Sequence, residues 1–139
     1  MIIKEGNSTI VIRIQDGENL MESLKKVCKN YKVESAIVSG VGLFKSTELA
    51  YWNGSEYVTT KIDKMMEVLS LEGNIGTNEY DGEPVIHLHV SLAGEDYTVI
   101  GGHLMDAIVY NGEIFINKLH NITLLRKKEP SGLNGLIPA

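Results

Sequence analysis

The stretch PVIHLHVSLAGEDYTVIGGHLMDAIVY, residues 84–110, carries the clearest structural pattern in this sequence. Its first part alternates like a strand, and the glycine-acidic run at 94–96 turns the chain into a second apolar segment. This pattern predicts two antiparallel strands joined by a tight turn. Side chains two residues apart on a strand share a face, so His87 and His89 point the same way, with Cα atoms about 6.5–7 Å apart.

A third histidine, His103, follows the pair Gly101-Gly102, which lets the chain bend or approach a neighbouring backbone closely. If the second strand pairs back on the first, His103 returns to the neighbourhood of His87 and His89. Three histidines and a water molecule form an open tetrahedral zinc site. Alternate polar residues also mark an ordinary solvated strand face, so spacing leaves both a metal site and plain histidines open.

A metal-binding histidine needs an acceptor for its second ring nitrogen, and the sequence offers several carboxylates for that role. The candidates are Glu67, Glu83, Asp96 and Asp106, and nothing in the spacing selects among them. The remaining histidine, His120, lies apart from this stretch and is interpreted as a structural or surface residue.

Working outward, the rest of the chain consists mainly of short alternating segments that predict strands. An Asn53-Gly54 pair and an Asn111-Gly112 pair are typical of hairpin turns between such segments. The further predicted strands are residues 9–14, 36–39, 47–52, 57–62, 66–71, 107–110, 113–117 and 121–125.

One helix is predicted from Asn19 to Tyr31, because apolar residues recur there at helical spacing. Asn19 with Glu22 three residues later resembles a capping box. Cys28 falls on the apolar face of this helix and is expected to be a small buried hydrophobe. Because Cys28 is the only cysteine, the chain cannot form an internal disulfide or a thiolate zinc cluster. A single free cysteine is typical of a protein in a reducing compartment.

These elements predict an α+β fold, with a mainly antiparallel twisted sheet flanked by one or two helices. The absence of a linker or repeat favours a single domain over residues 1–139. The segment Gly40-Val41-Gly42 after a predicted strand lacks the third glycine of a dinucleotide-binding fingerprint. It is therefore expected to be a tight turn that lets the backbone pass close to a neighbour.

Charge and hydropathy limit the classes of partner. The formal net charge of −5 weakens the case for nonspecific DNA binding, which depends on neutralising phosphates. The basic run Arg126-Lys127-Lys128 is interpreted as a solvated strand end. No apolar run approaches the ~20 residues that span a bilayer, and no signal peptide is evident. The expected location is the cytoplasm, without membrane association.

Longer motifs resemble a known family. The combination GEPVIHLHVSL (82–92) and GGHLMDAIVYNGEIFI (101–116) is similar to the signature of the plants-and-prokaryotes-conserved (PPC) domain. The segments at 11–44, MMEVLSLEGNI at 65–75 and LLRKKEPSGLNGL at 124–136 also resemble that family in the same order. In plants this domain follows AT-hooks in nuclear-localised DNA-binding proteins.

The resemblance implies a homotrimer and a stand-alone prokaryotic member of the kind described as a predicted DNA-binding protein. It also implies that His87, His89 and His103 hold a divalent metal such as zinc. The region of Glu67 corresponds to a partner-contacting segment of the plant relatives. Here Met65-Met66 replaces their Arg-Phe pair, and the sequence contains no AT-hook motif.

Three functional hypotheses follow. The first is a trimeric regulatory or DNA-associated protein in which a three-histidine metal site is structural or sensory. The second is a small zinc-dependent enzyme of hydrolase or lyase type, in which Glu67 is the candidate acid or base. The third is a metal-free binder of a small ligand, with the histidines as hydrogen-bonding groups.

Overall fold

The computed structural model describes residues 1–139 and contains nine strands and one helix. The elements in chain order are β1 (Ile2–Glu5), β2 (Thr9–Ile14), α1 (Leu20–Tyr31), β3 (Ala36–Trp52), β4 (Tyr57–Ile62), β5 (Met66–Asn78), β6 (Pro84–Ala93), β7 (Val99–Lys118), β8 (Leu124–Lys128) and β9 (Asn134–Pro138). The predicted α+β class, with a mainly antiparallel sheet, is confirmed, and a single helix accompanies the sheet.

Helix α1 begins where the sequence predicted. The Asn19 side chain accepts a hydrogen bond from the backbone N–H of Glu22 at 2.8 Å, as an N-cap does. The reciprocal half of the capping box is not formed, because the Glu22 carboxylate pairs with Lys26 at 2.8 Å. The apolar face of the helix packs into the core, and Cys28 is buried there, as expected.

Four strands pair in a closed cycle, and all four pairings are antiparallel. Strand β3 pairs with β5, β5 with β6, β6 with β7, and β7 again with β3. Strands β1 and β2 extend the sheet beyond β7, and the β8–β9 hairpin joins β5 through the only parallel pairing. The site described below lies where β6, β7 and the β8–β9 hairpin meet.

The expected turn at Gly40-Val41-Gly42 was wrong: strand β3 continues through it with only a register shift. The reason is close packing against β7. A Cβ on Gly40 would lie 2.8 Å from the carbonyl oxygen of Glu113, and one on Gly42 would overlap the carbonyl oxygen of Asn111. The expected close approach to a neighbouring backbone is therefore confirmed and explains the two glycines, but the expected chain reversal does not occur.

The hairpin predicted at Asn111-Gly112 was also wrong, since β7 runs unbroken through both residues. Gly112 pairs with Ile14 of β2 on one side and with Gly42 of β3 on the other. The Asn111 side chain accepts a hydrogen bond from Nε of Arg13 at 3.1 Å. Partners on both edges therefore override the local turn preference. The other predicted hairpin, around Asn53-Gly54, is present as β3–β4.

The C-terminal segment corrects a further expectation. Strand β8 begins at Leu124, later than predicted, and pairs with β9, for which the sequence had given no strand. Arg126 is only 7% exposed, so it is not part of a solvated strand end, whereas Lys127 and Lys128 are exposed. No helix of the protein is both long and apolar enough to cross a bilayer.

Candidate metal centre

The structure brings the three histidines of residues 84–110 together. His87 and His89 lie two residues apart on β6, and His89 is the direct cross-strand partner of His103 on β7. One ring nitrogen from each histidine can be chosen so that all three lie within 4.8 Å of one another. The expected return of the second strand onto the first is therefore present. Whether these residues bind a metal stays a prediction.

The spacing of two ring nitrogens suits a metal. Nε2 of His87 and Nε2 of His89 are 3.2 Å apart. Two nitrogen ligands of a tetrahedral zinc ion, each about 2.0–2.1 Å from the metal, are about 3.3–3.4 Å apart. The same separation also permits a hydrogen bond between the two rings, so distance alone fits both a metal and a metal-free pair.

The neighbour of His87 is a cation and not one of the predicted carboxylates. Nη2 of Arg126 lies 3.3 Å from Nδ1 of His87 and also donates to the side-chain oxygen of Asn74. Nη1 of Arg126 donates to the carbonyl oxygen of Asn134 at 3.0 Å. Arg126 therefore joins the histidines to the β8–β9 hairpin.

The surroundings keep two of the histidines neutral. Burial, which is the largest cause, together with the positive charge of Arg126 and the neighbouring histidines lowers the pKa of His87 to about 4. The pKa of His103 is also lowered. Burial is the larger cause, and the nearby His89 is the smaller one. A neutral imidazole is the charge state that binds metal, so both rings carry the required charge at neutral pH.

One buried ring nitrogen of the cluster has no hydrogen-bond partner within the protein. Nδ1 of His103 is buried and has no hydrogen-bond partner, although buried polar atoms are normally paired. The ring of Tyr57 stacks on His103 with 4.7 Å between centroids and fixes its plane. His89 is exposed, which leaves the cluster open to a further ligand. Three imidazoles with one open side are a donor set that suits zinc.

The predicted carboxylates have other roles or lie elsewhere. Asp106 accepts hydrogen bonds from Asn19 and from the N–H of Met21 at the start of α1, and Asp96 accepts one from the N–H of Thr98. Glu67 is the cross-strand partner of Ala93, four residues beyond His89.

None of the predicted carboxylates lines the histidine cavity. Glu67 lines a separate depression that it shares with Arg13 and Glu113, and Glu83 lies in a cavity beside α1. The suggestion of Glu67 as the acid or base next to the metal is therefore wrong. His120 stands apart, 3.2 Å from the hydroxyl of Ser8, as predicted for a surface residue.

The histidines lie in a cavity of about 470 Å³, between the β3–β4 hairpin and the β8–β9 hairpin. Sequence reasoning missed its other functional side chains, which come from distant parts of the chain. They are Trp52, Tyr57, Arg126 and Glu129. The only available signal was the resemblance of residues 124–136 to the closing segment of a known family, which gave no role to any single residue.

Comparisons with known proteins agree with this architecture. The model of the Plants and Prokaryotes Conserved (PCC) domain matches residues 1–120. The crystal structure of a plant- and prokaryote-conserved (PPC) protein from Pyrococcus horikoshii is 34% identical, with a TM-score of 0.88, and the match covers 98% of this chain and 94% of that chain. Comparison with curated proteins gives no match.

Two further structures are similar. A metal-containing protein from Archaeoglobus fulgidus is 28% identical, with a TM-score of 0.87, and the match covers 99% of both chains. A protein from Bacteroides thetaiotaomicron, described as a candidate DNA-binding protein, is 24% identical, with a TM-score of 0.89 and coverage of 98% and 96%. The second likeness shows the fold alone.

The family follows from the first of these comparisons together with the fold. The matching model covers most of the chain, and the similarity to the Pyrococcus protein extends over nearly all of both chains. The chain therefore belongs to the Plants and Prokaryotes Conserved domain family.

Proposed function

We propose that this protein is a homotrimer that holds zinc, or a similar divalent metal, between His87, His89 and His103. The observation that carries the proposal is the convergence of three ring nitrogens within 4.8 Å in a ligand-sized cavity. The metal-containing relative from Archaeoglobus fulgidus, 28% identical over nearly the whole chain, supports it. A metal with an open coordination position then lies where a small molecule can reach it.

The experiment is elemental analysis of protein made without an affinity tag. We expect close to one equivalent of metal per chain, and we expect His87→Ala or His103→Ala to lose it. His120→Ala is the matched control, because His120 lies apart from the cluster and should leave the metal content unchanged. Metal-free native protein, or a His103→Ala variant with full metal content, would contradict the assignment.

An enzymatic role is supported by one acidic residue. A metal of this kind lowers the pKa of bound water and polarises carbonyl oxygens when it is present. Glu129 lines the same cavity as the histidines and is the acidic side chain placed to exchange a proton with a ligand there. If the protein is a hydrolase or lyase, Glu129→Gln should lower turnover while the metal content stays the same.

The trimer is proposed on the character of one sheet face. Val11 on β2 and Phe115 on β7 are direct cross-strand partners, and both are about 40% exposed. Ile37 and Val41 on β3 continue the same face and are 50% and 47% exposed. Exposed apolar side chains in such a group are typical of an interaction surface.

Sedimentation equilibrium tests the trimer, with an expected mass about three times the 15.3 kDa of one chain. Val11→Asp combined with Phe115→Asp should shift the mass toward the monomer. Ile122→Asp is the control, because Ile122 is 48% exposed but lies in the loop before β8. A wild-type mass of 15.3 kDa at micromolar concentration would refute the trimer.

A regulatory, DNA-associated role is the hypothesis that comes from family resemblance. Its support is the Bacteroides relative, which shares the fold. The charge pattern opposes direct contact: the lysines of α1 line a groove together with Glu22, Glu34 and Glu83, so no continuous basic stripe forms there.

Anisotropy of labelled duplex DNA, measured against salt concentration, tests the DNA hypothesis. Direct contact predicts affinity at low salt that falls steeply as salt is added. An affinity that is absent at low salt, or that does not depend on salt, would refute direct contact. The third hypothesis, a metal-free ligand binder, fits the 3.2 Å pair of His87 and His89, and the metal analysis above distinguishes it.

A further inference from the structure

Arg126 is a buried cation without an acidic partner. Its side chain is 7% exposed, and it takes part in none of the five ion pairs of the structure. Its hydrogen-bond partners are all uncharged: the side chain of Asn74, the carbonyl oxygen of Asn134 and the ring of His87. Its Nε–H has no partner.

Burying a charge without a counterion is unfavourable, so buried arginines are normally paired with an acid. Arg126 lines the same cavity as the three histidines, which would carry a divalent cation under the proposed function. Two positive centres would then face one space. An anion that comes from solution would therefore be stabilised between these two positive centres.

The lining of the cavity selects the class of anion. Arg126 and Glu129 are its only lining residues that carry a full charge, and no lysine reaches it. With Arg126 and the metal as the positive centres, Glu129 remains on the same wall, and it would repel a phosphate dianion more strongly than a monoanion. A monoanion is favoured, and the planar guanidinium matches a carboxylate in shape.

The remaining walls select the body of the ligand. The hydrophobic lining comes from both hairpins and from the start of β6, and it consists of Trp52, Tyr57, Val85, Ile86, Leu133 and Leu136. A volume of about 470 Å³ suits a small organic molecule, with room left for water. Aromatic and aliphatic walls opposite a cation fit a ligand with an apolar body and one carboxylate.

We propose that this cavity binds a small organic monocarboxylate, with the carboxylate between Arg126 and the histidine-held metal and the apolar body against Trp52 and Tyr57. This inference rests on the proposed metal site. It extends that proposal from the metal to the chemical class of the ligand.

The chain contains its own reporter, because Trp52 is its only tryptophan and it lines the cavity. Benzoate, benzamide and inorganic phosphate are titrated into protein whose metal content is measured in parallel, and Trp52 fluorescence is followed. We expect saturable binding of benzoate, about tenfold tighter than that of uncharged benzamide, because a charged hydrogen bond is lost with benzamide. Phosphate should compete poorly with benzoate.

Two variants test the role of the charges. Arg126→Gln should abolish the preference for benzoate over benzamide, measured on protein that has been saturated with metal. Because Arg126 also supports the β8–β9 hairpin, Glu129→Gln is the second variant: it removes a negative charge from an exposed side chain and should tighten benzoate binding. Lys127→Gln is the matched surface control and should change neither affinity.

The results separate this inference from the metal proposal. If metal is present but benzoate and benzamide bind equally, the carboxylate inference is wrong and the metal site stands. If phosphate displaces benzoate at lower concentration, the choice of a monocarboxylate is wrong. If no metal is found yet benzoate binding still depends on Arg126, the metal proposal fails and the anion site at Arg126 stands.

Discussion

Nη2 of Arg126 lies 3.3 Å from Nδ1 of His87. A guanidinium group can only donate hydrogen bonds, so Nδ1 of His87 is the acceptor and the ring proton is on Nε2. Nε2 in turn lies 3.2 Å from Nε2 of His89, to which it can donate. The contacts from Arg126 to His87 to His89 therefore place the ring proton of His87 on the nitrogen that faces His89. A metal at Nε2 of His87 must displace that proton.

The first prediction concerns metal affinity. Arg126→Met removes both the donor to Nδ1 and a nearby positive charge, so the proton can move to Nδ1 and the Nε2 lone pair can face the metal. We expect zinc affinity to rise by about tenfold or more, because a nearby positive charge lowers the proton affinity of a ring nitrogen by about one pKa unit or more. Competition with a chromophoric chelator measures the change. Lys127→Met, the adjacent exposed residue, should leave affinity unchanged. A loss of affinity in Arg126→Met would show that Arg126 supports metal binding.

The second prediction concerns pH and the metal-free protein. The pKa of His87 is about 4 when folded, against an ordinary value of 6.5, because burial penalises its charged form. The unfolded chain therefore binds more protons between these values, by up to about one per molecule from His87. The free energy of unfolding should decrease as pH falls from 6.5 to about 4.

Urea titrations in the presence of a chelator, at several pH values across this range, measure the effect. His87→Gln should flatten the dependence on pH, because it removes the group whose pKa differs between the two states. His120→Gln should keep the wild-type dependence. An identical pH dependence in His87→Gln and wild type would contradict the lowered pKa of His87.

The third prediction concerns a glycine behind the metal site. A Cβ at Gly73 would overlap the carbonyl oxygen of His87, because β5 and β6 approach closely there. Gly73→Ala should therefore push β6 away, lower the free energy of unfolding by about 1–3 kcal/mol and weaken metal binding. Gly94→Ala is the control, since its Cβ would meet no atom closer than 3.5 Å. Equal stability of the two variants would refute the close approach.

The fourth prediction concerns the helix cap. Asn19 accepts from the N–H of Glu22 and donates to Asp106, so it joins the start of α1 to β7. Asn19→Ala should cost about 0.5–2 kcal/mol of stability, measured by chemical denaturation. Asn30→Ala, an exposed position near the end of the same helix, should be neutral or slightly stabilising. A neutral Asn19→Ala would mean that the cap contributes nothing.

The fifth prediction concerns Cys28. Burial raises the pKa of its thiol to about 11, so almost none is thiolate at neutral pH. The folded protein should react with a disulfide reagent far more slowly than the protein in denaturant, which serves as the control. Rapid labelling of folded protein would show that α1 opens readily.

Local sequence patterns predicted a segment correctly where its structure depends only on its own hydrophobic periodicity and its own turn residues. Helix α1 follows from apolar residues at helical spacing and from Asn19 as its cap. The β3–β4 hairpin follows from Asn53-Gly54, and the shared side of His87 and His89 follows from strand alternation. The sequence by itself therefore determined the fold class and placed two of the three histidines on one face.

Only the tertiary structure decided which backbones lie side by side. It made β7 continuous through Asn111-Gly112, because partner strands on both edges supply hydrogen bonds that a turn would lose. It also buried Arg126 against His87 and brought Trp52 into the same cavity. These residues are far apart in the chain. The periodicity of a short segment carries no information about contacts that are made by long-range strand pairing.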